Sequence, residues 1–415
     1  MSDSDNTPNP PTAATPSTRE QRGLEIAATK KLRRKGDLWL VPSQAGGSTY
    51  VVDPATPECS CPDFEDRRER CKHVFAVEYT VLRERSESGE TVTQTLKVTY
   101  RQEWPAYNAA QTNEKVRVAE LLRDLCAAID NPAQGRGRPR LPLSDSVFCA
   151  ALKVYAGMSA RRTMSDLRDL ADKGFIDRAP HYNSVLNALE NPDLTPILTA
   201  MIEESALPLK SVETDFAVDS SGFSTSVYHR WYSEKYGKEK SEAFWLKAHV
   251  MVGTKTNVVT SVEVTHGRAH DGQHFRPVFE RTARQFDMKR VSADKAYSSA
   301  RILSLIDSKG ALPLVPFKHN AKGTSPYRGH GKEIWARMFH FFNYNRDEFM
   351  QHYHKRSNVE TTFSMIKAKF GTRIRSKTPV AQVNEVLCKV LCHNLCCLVQ
   401  AIYELGIEPE FWRAS

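Results

Sequence analysis

Tyr353, Arg356, Glu360 and Lys367 fall late in the chain at the spacing Y-x2-R-x3-E-x6-K, within YHKRSNVETTFSMIKAKFG. At roughly 100° per residue, one α-helix would gather all four on a stripe about 60° wide. A carboxylate flanked by cations and a phenol is how a helix sets a metal ligand beside groups that hold phosphate. An ordinary solvated helix face is the competing reading, and two upstream aspartates weigh against it. Asp219 closes the apolar run of VETDFAVDSSGF, and Asp294 closes the strand-like RVSADKAYSS. Carboxylates at strand ends beside small residues have rigid backbone and room for a cation. Asp215 is the rival first ligand; an extended strand would set it on the same face about 13 Å away. Asp219 is preferred because it abuts Ser220-Ser221-Gly222.

The elements that must position these groups are legible around them. FWLKAHVMVG (244–253) and NVVTSVEVTHG (257–267) are rich in β-branched residues and predict two strands joined by a short turn. DGQHFRPVFERTARQF (271–286) and SSARILSLIDSKG (298–310) have helical periodicity, and ALPLVPF (311–317) reads as a further strand. A continuous helix is expected from Tyr353 to Lys367. The order is β-β-β-α-β-α-β-α, with Asp219 on the first strand, Asp294 after the fourth, and Glu360 on the last helix.

This order, with AVDSSGF, ADKAYSS and RSNVETTFSMIKAKFGTRIRSKT, closely resembles the ribonuclease H-like core of insertion-sequence transposases of the DDE class. The Y-x2-R-x3-E-x6-K string resembles the signature of the Tyr-Arg-Glu-Lys group within that class. The resemblance covers roughly residues 140–400, and its third motif is the most specific. Glu360 follows Asp294 by only 66 residues, so the chain is expected to lack the large β-rich insertion that some members carry there. The resemblance implies an α/β fold, a mixed five-stranded sheet flanked by helices. It implies two Mg2+ (or Mn2+) ions, bridged by Asp219, with Asp294 holding one and Glu360 the other. Tyr353, Arg356 and Lys367 would grip phosphates near the scissile bond. The implied activity is cleavage at the ends of a mobile element, followed by strand transfer into target DNA by a homodimer holding double-stranded DNA. Two other readings stay open: a domesticated zinc-containing DNA-binding protein without catalysis, and a ribonuclease H-like nuclease without strand transfer. His270 and Asp271 either orient a catalytic group or, as is preferred for Asp271, cap the helix beginning there. Lys247 and His249 face DNA or serve an edge strand.

Residues 59–73, CSCPDFEDRRERCKH, carry a second constellation. Cys59, Cys61, Cys71 and His73 form a three-thiolate, one-imidazole set suited to one tetrahedral Zn2+. A β-hairpin about a Gly-Gly turn is expected before the ligands, in LWLVPSQAGGSTYVVD, and a helix after them, in HVFAVEYTVLRE. Ligands and flanks together resemble the SWIM zinc finger. Arg67, Arg68, Arg70 and Lys72 are nearly balanced by Asp63, Glu65, Asp66 and Glu69, which leaves DNA and protein both open as its partner.

The 415 residues carry 58 Lys and Arg against 49 Asp and Glu, a net charge of +9 that suits a polyanionic partner. Basic residues between Lys318 and Lys377 interleave with Trp335, Phe339, Phe341, Phe342 and Tyr344, a surface able to track DNA and stack an exposed base. Arg138 and Arg140, in QGRGRPRL, fit an A·T-rich minor groove, though a plain linker explains them equally. Arg161 and Arg162 lie in a helix-turn-helix-like region. Cys388, Cys392, Cys396 and Cys397 recur at helical spacing, and a packing helix explains them better than a second metal site with His393. No signal peptide or membrane span is expected, and the family type implies the prokaryotic cytoplasm, at the nucleoid. The expected division is a disordered tail (1–20), the zinc domain (21–100), a helix and basic linker (101–143), a helical region (144–206), the catalytic domain (207–400) and a C-terminal tail (401–415).

Overall fold

The computed structural model describes residues 32–43, 49–87, 103–133, 135–137, 140–225, 245–324 and 331–412, with isolated positions between 19 and 30. The chain divides into two compact units, Met1–Val98 and Thr99–Ser415.

The first unit is a four-stranded antiparallel sheet with strand order β1-β2-β3-β4. Its strands are β1 (Arg33–Lys35), β2 (Leu38–Pro42), β3 (Thr49–Asp53) and β4 (Glu58–Cys59), followed by helices α1 (Pro62–Arg67) and α2 (Lys72–Glu87). Alternation along β2 and β3 buries Trp39, Val41 and Val52 against Val74, Ala76 and Val77 of α2. The expected hairpin is present as β2 paired with β3, while its Gly-Gly turn lies outside the described residues, as does most of the tail 1–20. Neither β1 nor β4 was anticipated, since three- and two-residue strands leave no periodic signal.

In the second unit the sheet is preceded, among the described residues, by α-helices α3 (Trp104–Cys126), α4 (Leu143–Tyr155), α5 (Ala160–Asp172), α6 (Tyr182–Glu190) and α7 (Leu194–Ala206). The helix expected within 101–143 runs from Trp104, with a proline in its first turn where the missing N–H is harmless. Then come β5 (Asp215–Ser224), β6 (Trp245–Gly253), β7 (Val259–His266), α8 (Asp271–Gln285), β8 (Arg290–Ala293), α9 (Ala300–Asp307) and β9 (Leu312–Leu314). The sheet order is β7-β6-β5-β8-β9; β6 is antiparallel to both its neighbours, and β5, β8 and β9 run parallel. It is the mixed five-stranded sheet flanked by helices that the sequence implied.

Two helices not separately anticipated, α10 (Lys332–Tyr344) and α11 (Arg346–Tyr353), precede α12 (Ser357–Phe370). The long α13 (Pro379–Leu405) packs against α3, α4 and α7. By length and composition it is apolar enough to span a membrane, although no span was expected from the sequence. Its residues are instead core: 78% of its apolar window is buried, including Cys388, Cys392 and Cys397. Buried Asn394 accepts from the Val259 N–H at 2.8 Å and donates to its carbonyl at 2.7 Å, satisfying the backbone where β7 begins. Burial of this polar side chain is thus offset by hydrogen bonds on both ends.

Candidate active site

The β5–β8 ladder fixes where the two aspartates meet. Its last register pair is Val218 with Ala293, so Asp219 and Asp294 are the next residue on each of two adjacent parallel strands. Adjacent strands are about 4.8 Å apart, which puts both carboxylates at one edge of the site. The carboxyl ends of parallel strands are where α/β sheets present ligand-binding groups. Asp219 does not end its own strand, as expected from its apolar run; β5 continues to Ser224 along β6. Only the partner strand stops there, which opens one side of the backbone.

Arg356 brings in the third carboxylate. Its guanidinium lies 3.1 Å from Asp219 Oδ2 and 2.6 Å from Glu360 Oε1, bridging a strand residue to the first turn of α12. Burial is the main influence raising the Asp219 carboxyl above its ordinary range, and the negative charges of Asp294 and Glu360 add to it. The Ser220 N–H, 2.8 Å from Oδ1, and Arg356 oppose that rise. Arg356 is itself half-buried; burial disfavours its charge, but Tyr353 and the three carboxylates outweigh that and raise its pKa. Three mutually repelling carboxylates at a partly desolvated edge supply hard oxygen donors of the kind Mg2+ or Mn2+ prefers; as placed, with Arg356 between two of them, their oxygens do not lie at metal-binding spacing.

The helix expected from Tyr353 to Lys367 is not continuous. Tyr353 ends α11, His354–Arg356 form a tighter three-residue turn, and α12 starts at Ser357. A stripe calculated at one uniform 100° step therefore does not describe the four residues. Tyr353 and Arg356 still meet, with the guanidinium 5.7 Å from the ring centre, because positions three apart eclipse in a three-per-turn helix. Lys367 turns elsewhere, donating to Ser221 Oγ at 2.6 Å and lying 5.5 Å from the Phe223 ring centre. Burial lowers its pKa. The rival Asp215 is held by Lys355 at 2.6 Å and Arg290 at 3.2 Å, an ion-pair cluster at the start of β5.

Asp271 is not the helix cap that was preferred for it. His270 occupies the cap position of α8 and Asp271 the first helical one. The Asp271 carboxylate instead reaches Lys247 Nζ at 2.5 Å, Ser220 Oγ at 2.8 Å and His249 Nδ1 at 3.4 Å. Burial acts to raise the Asp271 pKa, but Lys247 and Ser220 win and lower it. Asp219 and Ser220 alternate across the strand, so this cluster braces the opposite face from the three carboxylates. Burial and the adjacent His274 hold His249 down at about 4, hence neutral. Lys247 and His249 therefore face this brace.

Beside Asp294 lies a groove of about 920 Å³ lined by Phe317, Phe339 and Phe342 and by Lys295, Lys318, His319 and Arg346. This is part of the basic-aromatic segment; its Trp335 is instead buried, edge-on to Phe317. Arg140 is described, and Arg138 lies outside the described residues. Arg161 lies over the Tyr182 ring at 4.7 Å.

In the first unit, the ligand atoms of Cys59, Cys61, Cys71 and His73 all lie within 4.8 Å of one another, and all four residues are buried. His73 Nδ1 is 3.8 Å from the sulfurs of both Cys59 and Cys71. Tetrahedral Zn–S bonds of about 2.3 Å would space ligand atoms by roughly 3.5–3.8 Å, so the set fits zinc. Hydrogen bonding from Cys59 pulls the Cys71 thiol far down, toward the thiolate a metal needs. Among the described residues no second group has metal-binding spacing; Cys397 and His393 are core neighbours 3.4 Å apart.

Comparison with known proteins agrees with both units. Residues 210–395 match the family model described as Transposase DDE domain, and residues 45–82 match SWIM zinc finger. A search of curated proteins finds no match. Among solved structures, a piggyBac transposase synaptic complex with hairpin DNA is similar to this chain at 9% identity and a TM-score of 0.34, covering 75% of this chain and 78% of that one.

Proposed function

We propose that this chain, which carries a transposase DDE domain and a SWIM zinc finger, is a transposase of the Tyr-Arg-Glu-Lys group that cuts and joins DNA at the ends of its own element. The observation that carries the reading is the placement of Asp219 and Asp294 on adjacent parallel strands, with Arg356 linking Asp219 to Glu360.

Asp219, Asp294 and Glu360 would hold the divalent cations. Bound there, two such ions would help generate the oxygen nucleophile and neutralise the leaving oxygen. In the first reaction water attacks the phosphodiester at the element end, the P–O3′ bond breaks, and a 3′-hydroxyl is released. In the second that hydroxyl attacks a target phosphodiester, a new P–O bond forms, and a target 3′-oxygen leaves. Arg356 and Tyr353 would orient the scissile phosphate by charge-assisted and hydroxyl hydrogen bonds. Lys367, anchored on Ser221, would hold a neighbouring phosphate. The cationic groove beside Asp294 would take the flanking backbone, its partly exposed Phe339 and Phe342 offering a surface for an unpaired base. Cys59, Cys61, Cys71 and His73 would bind one structural Zn2+. The protein would work as a homodimer on double-stranded DNA in the prokaryotic cytoplasm, at the nucleoid.

The test uses the chain's own locus, with its flanking DNA, as donor and a second plasmid as target, in Mg2+. Joined donor–target products are expected, and Asp219→Ala, Asp294→Ala and Glu360→Ala should each remove nicking and joining while DNA binding persists. Nicking without joined products would make it a nuclease. Binding with neither would make it a DNA-binding adaptor.

A further inference from the structure

The partner of the zinc unit is addressed by where its charges go. Two of the four cations of the ligand loop pair within the unit: Arg67 lies 3.7 Å from Asp63 and Arg70 3.0 Å from Glu78. Arg19 binds both Asp63, at 3.0 Å, and Glu69, at 2.7 Å, so two of the loop's four acids are paired too. The face around the metal ligands is thus nearly self-neutralised.

The strand at the sheet's edge differs. Residues 30–35 read KKLRRK, five cations in six positions. Leu32 is buried and anchors the segment, while Lys30 and all three residues of β1 are exposed. Among the described residues strand β1 pairs with β2 alone, where Arg34 lies opposite the buried Trp39. The acid recorded beside it is Asp37, 3.8 Å from Arg34 and fully exposed. A lysine or two on an edge strand guards against unwanted strand pairing. Four described cations in six residues give a density beyond that need, and the geometry suits a phosphate row. Alternate residues of a strand are about 6.6 Å apart, which sets Arg33 and Lys35 side by side along one rim. Duplex DNA offers a charge every ~1.7 Å of its axis, so such a row meets several phosphates in any sequence.

We propose that β1, with Lys30, is the phosphate-gripping edge of the zinc unit, binding the DNA backbone without regard to sequence. The zinc loop then shapes this edge and does not itself contact DNA. This rests on the reading that the chain acts on DNA, but its test does not require catalysis.

Fluorescence polarisation of the zinc-loaded full chain on a labelled 30-base-pair duplex of arbitrary sequence, over a KCl series, reads the number of phosphates contacted. Each lost contact should flatten the log K against log salt slope by about 0.9, so R33Q/K35Q, the pair on one rim, should flatten it by roughly 1.8. R67Q/R70Q should leave it unchanged, and zinc content should be equal in all three proteins. An unchanged slope in the β1 variant would overturn the proposal and leave β1 an aggregation guard. So would wild-type binding to poly-glutamate as tight as to DNA, which would point to an acidic protein partner. Loss of strand joining with an intact slope difference would count against the transposase reading alone.

Discussion

Arg356 is the residue on which the site's electrostatics turn, because it contacts both a strand carboxylate, Asp219, and a helix carboxylate, Glu360. Arg356→Lys keeps the charge and loses the planar fork, so it cannot reach Asp219 and Glu360 together. Strand cleavage should fall roughly 100-fold in that variant, with duplex affinity little changed; single-turnover cleavage beside a binding titration measures both. Asp271 acts through Ser220, Lys247 and His249 on the far face of β5. Asp271→Asn should cost about 10- to 100-fold in cleavage rate, the range for groups that orient a ligand-bearing element. Rescue by Asp271→Glu would be expected if position and charge are what matter. Residue types and spacing made the zinc set legible, and singled out two aspartates that the fold puts on adjacent strands and a glutamate that Arg356 ties to one of them. The role of Asp271 was not, since a first-turn aspartate looks like a cap and its partners lie on strands remote in sequence.

At the scale of elements, strands with strong β-branched content and helices with clear periodicity were read within a few residues: β6, β7, α8 and α9 are where the pattern put them. The break at His354–Arg356 was invisible because no proline or glycine marks it. From this tightened turn Lys355 reaches Asp215 and Arg356 reaches Asp219, contacts remote in sequence. Helix α13 makes a separate prediction about pH. Its His393 is buried, its Nε2 is 2.8 Å from the Asn257 carbonyl, and burial holds its pKa down to about 4, with Lys369 adding to the effect. The unfolded chain, titrating near 6.5, binds the proton that the folded chain refuses, so stability from this group falls as pH drops from about 6.5 toward 4. At pH 5 the loss should be about 2 kcal/mol. Urea melts of wild type and His393→Gln at pH 7 and 5 check it: the variant should show the smaller pH dependence.

On the scale of the whole molecule, two compact units imply two separable sources of stability. The first has a small core of which three ligand thiols are a part. Structural zinc is folding free energy in such a domain. A strong chelator should therefore abolish the low-salt duplex binding contributed by β1, and remove a melting transition, while the larger unit's transition stays in place. Calorimetry with and without chelator reads this. The larger unit holds its own hydrophobic core, built around α13 and the five-stranded sheet.

The claim on which the account rests is that Asp219, Asp294 and Glu360 share divalent cations. Loading the protein with Fe2+ in place of Mg2+ and adding peroxide and ascorbate generates hydroxyl radicals at the metal, which cut the nearby backbone. Fragments ending close to residues 219, 294 and 360 are predicted, suppressed by excess Mg2+ and lost in Asp219→Ala. Cuts at one of these places alone, or Mg2+-insensitive cuts elsewhere, would contradict it.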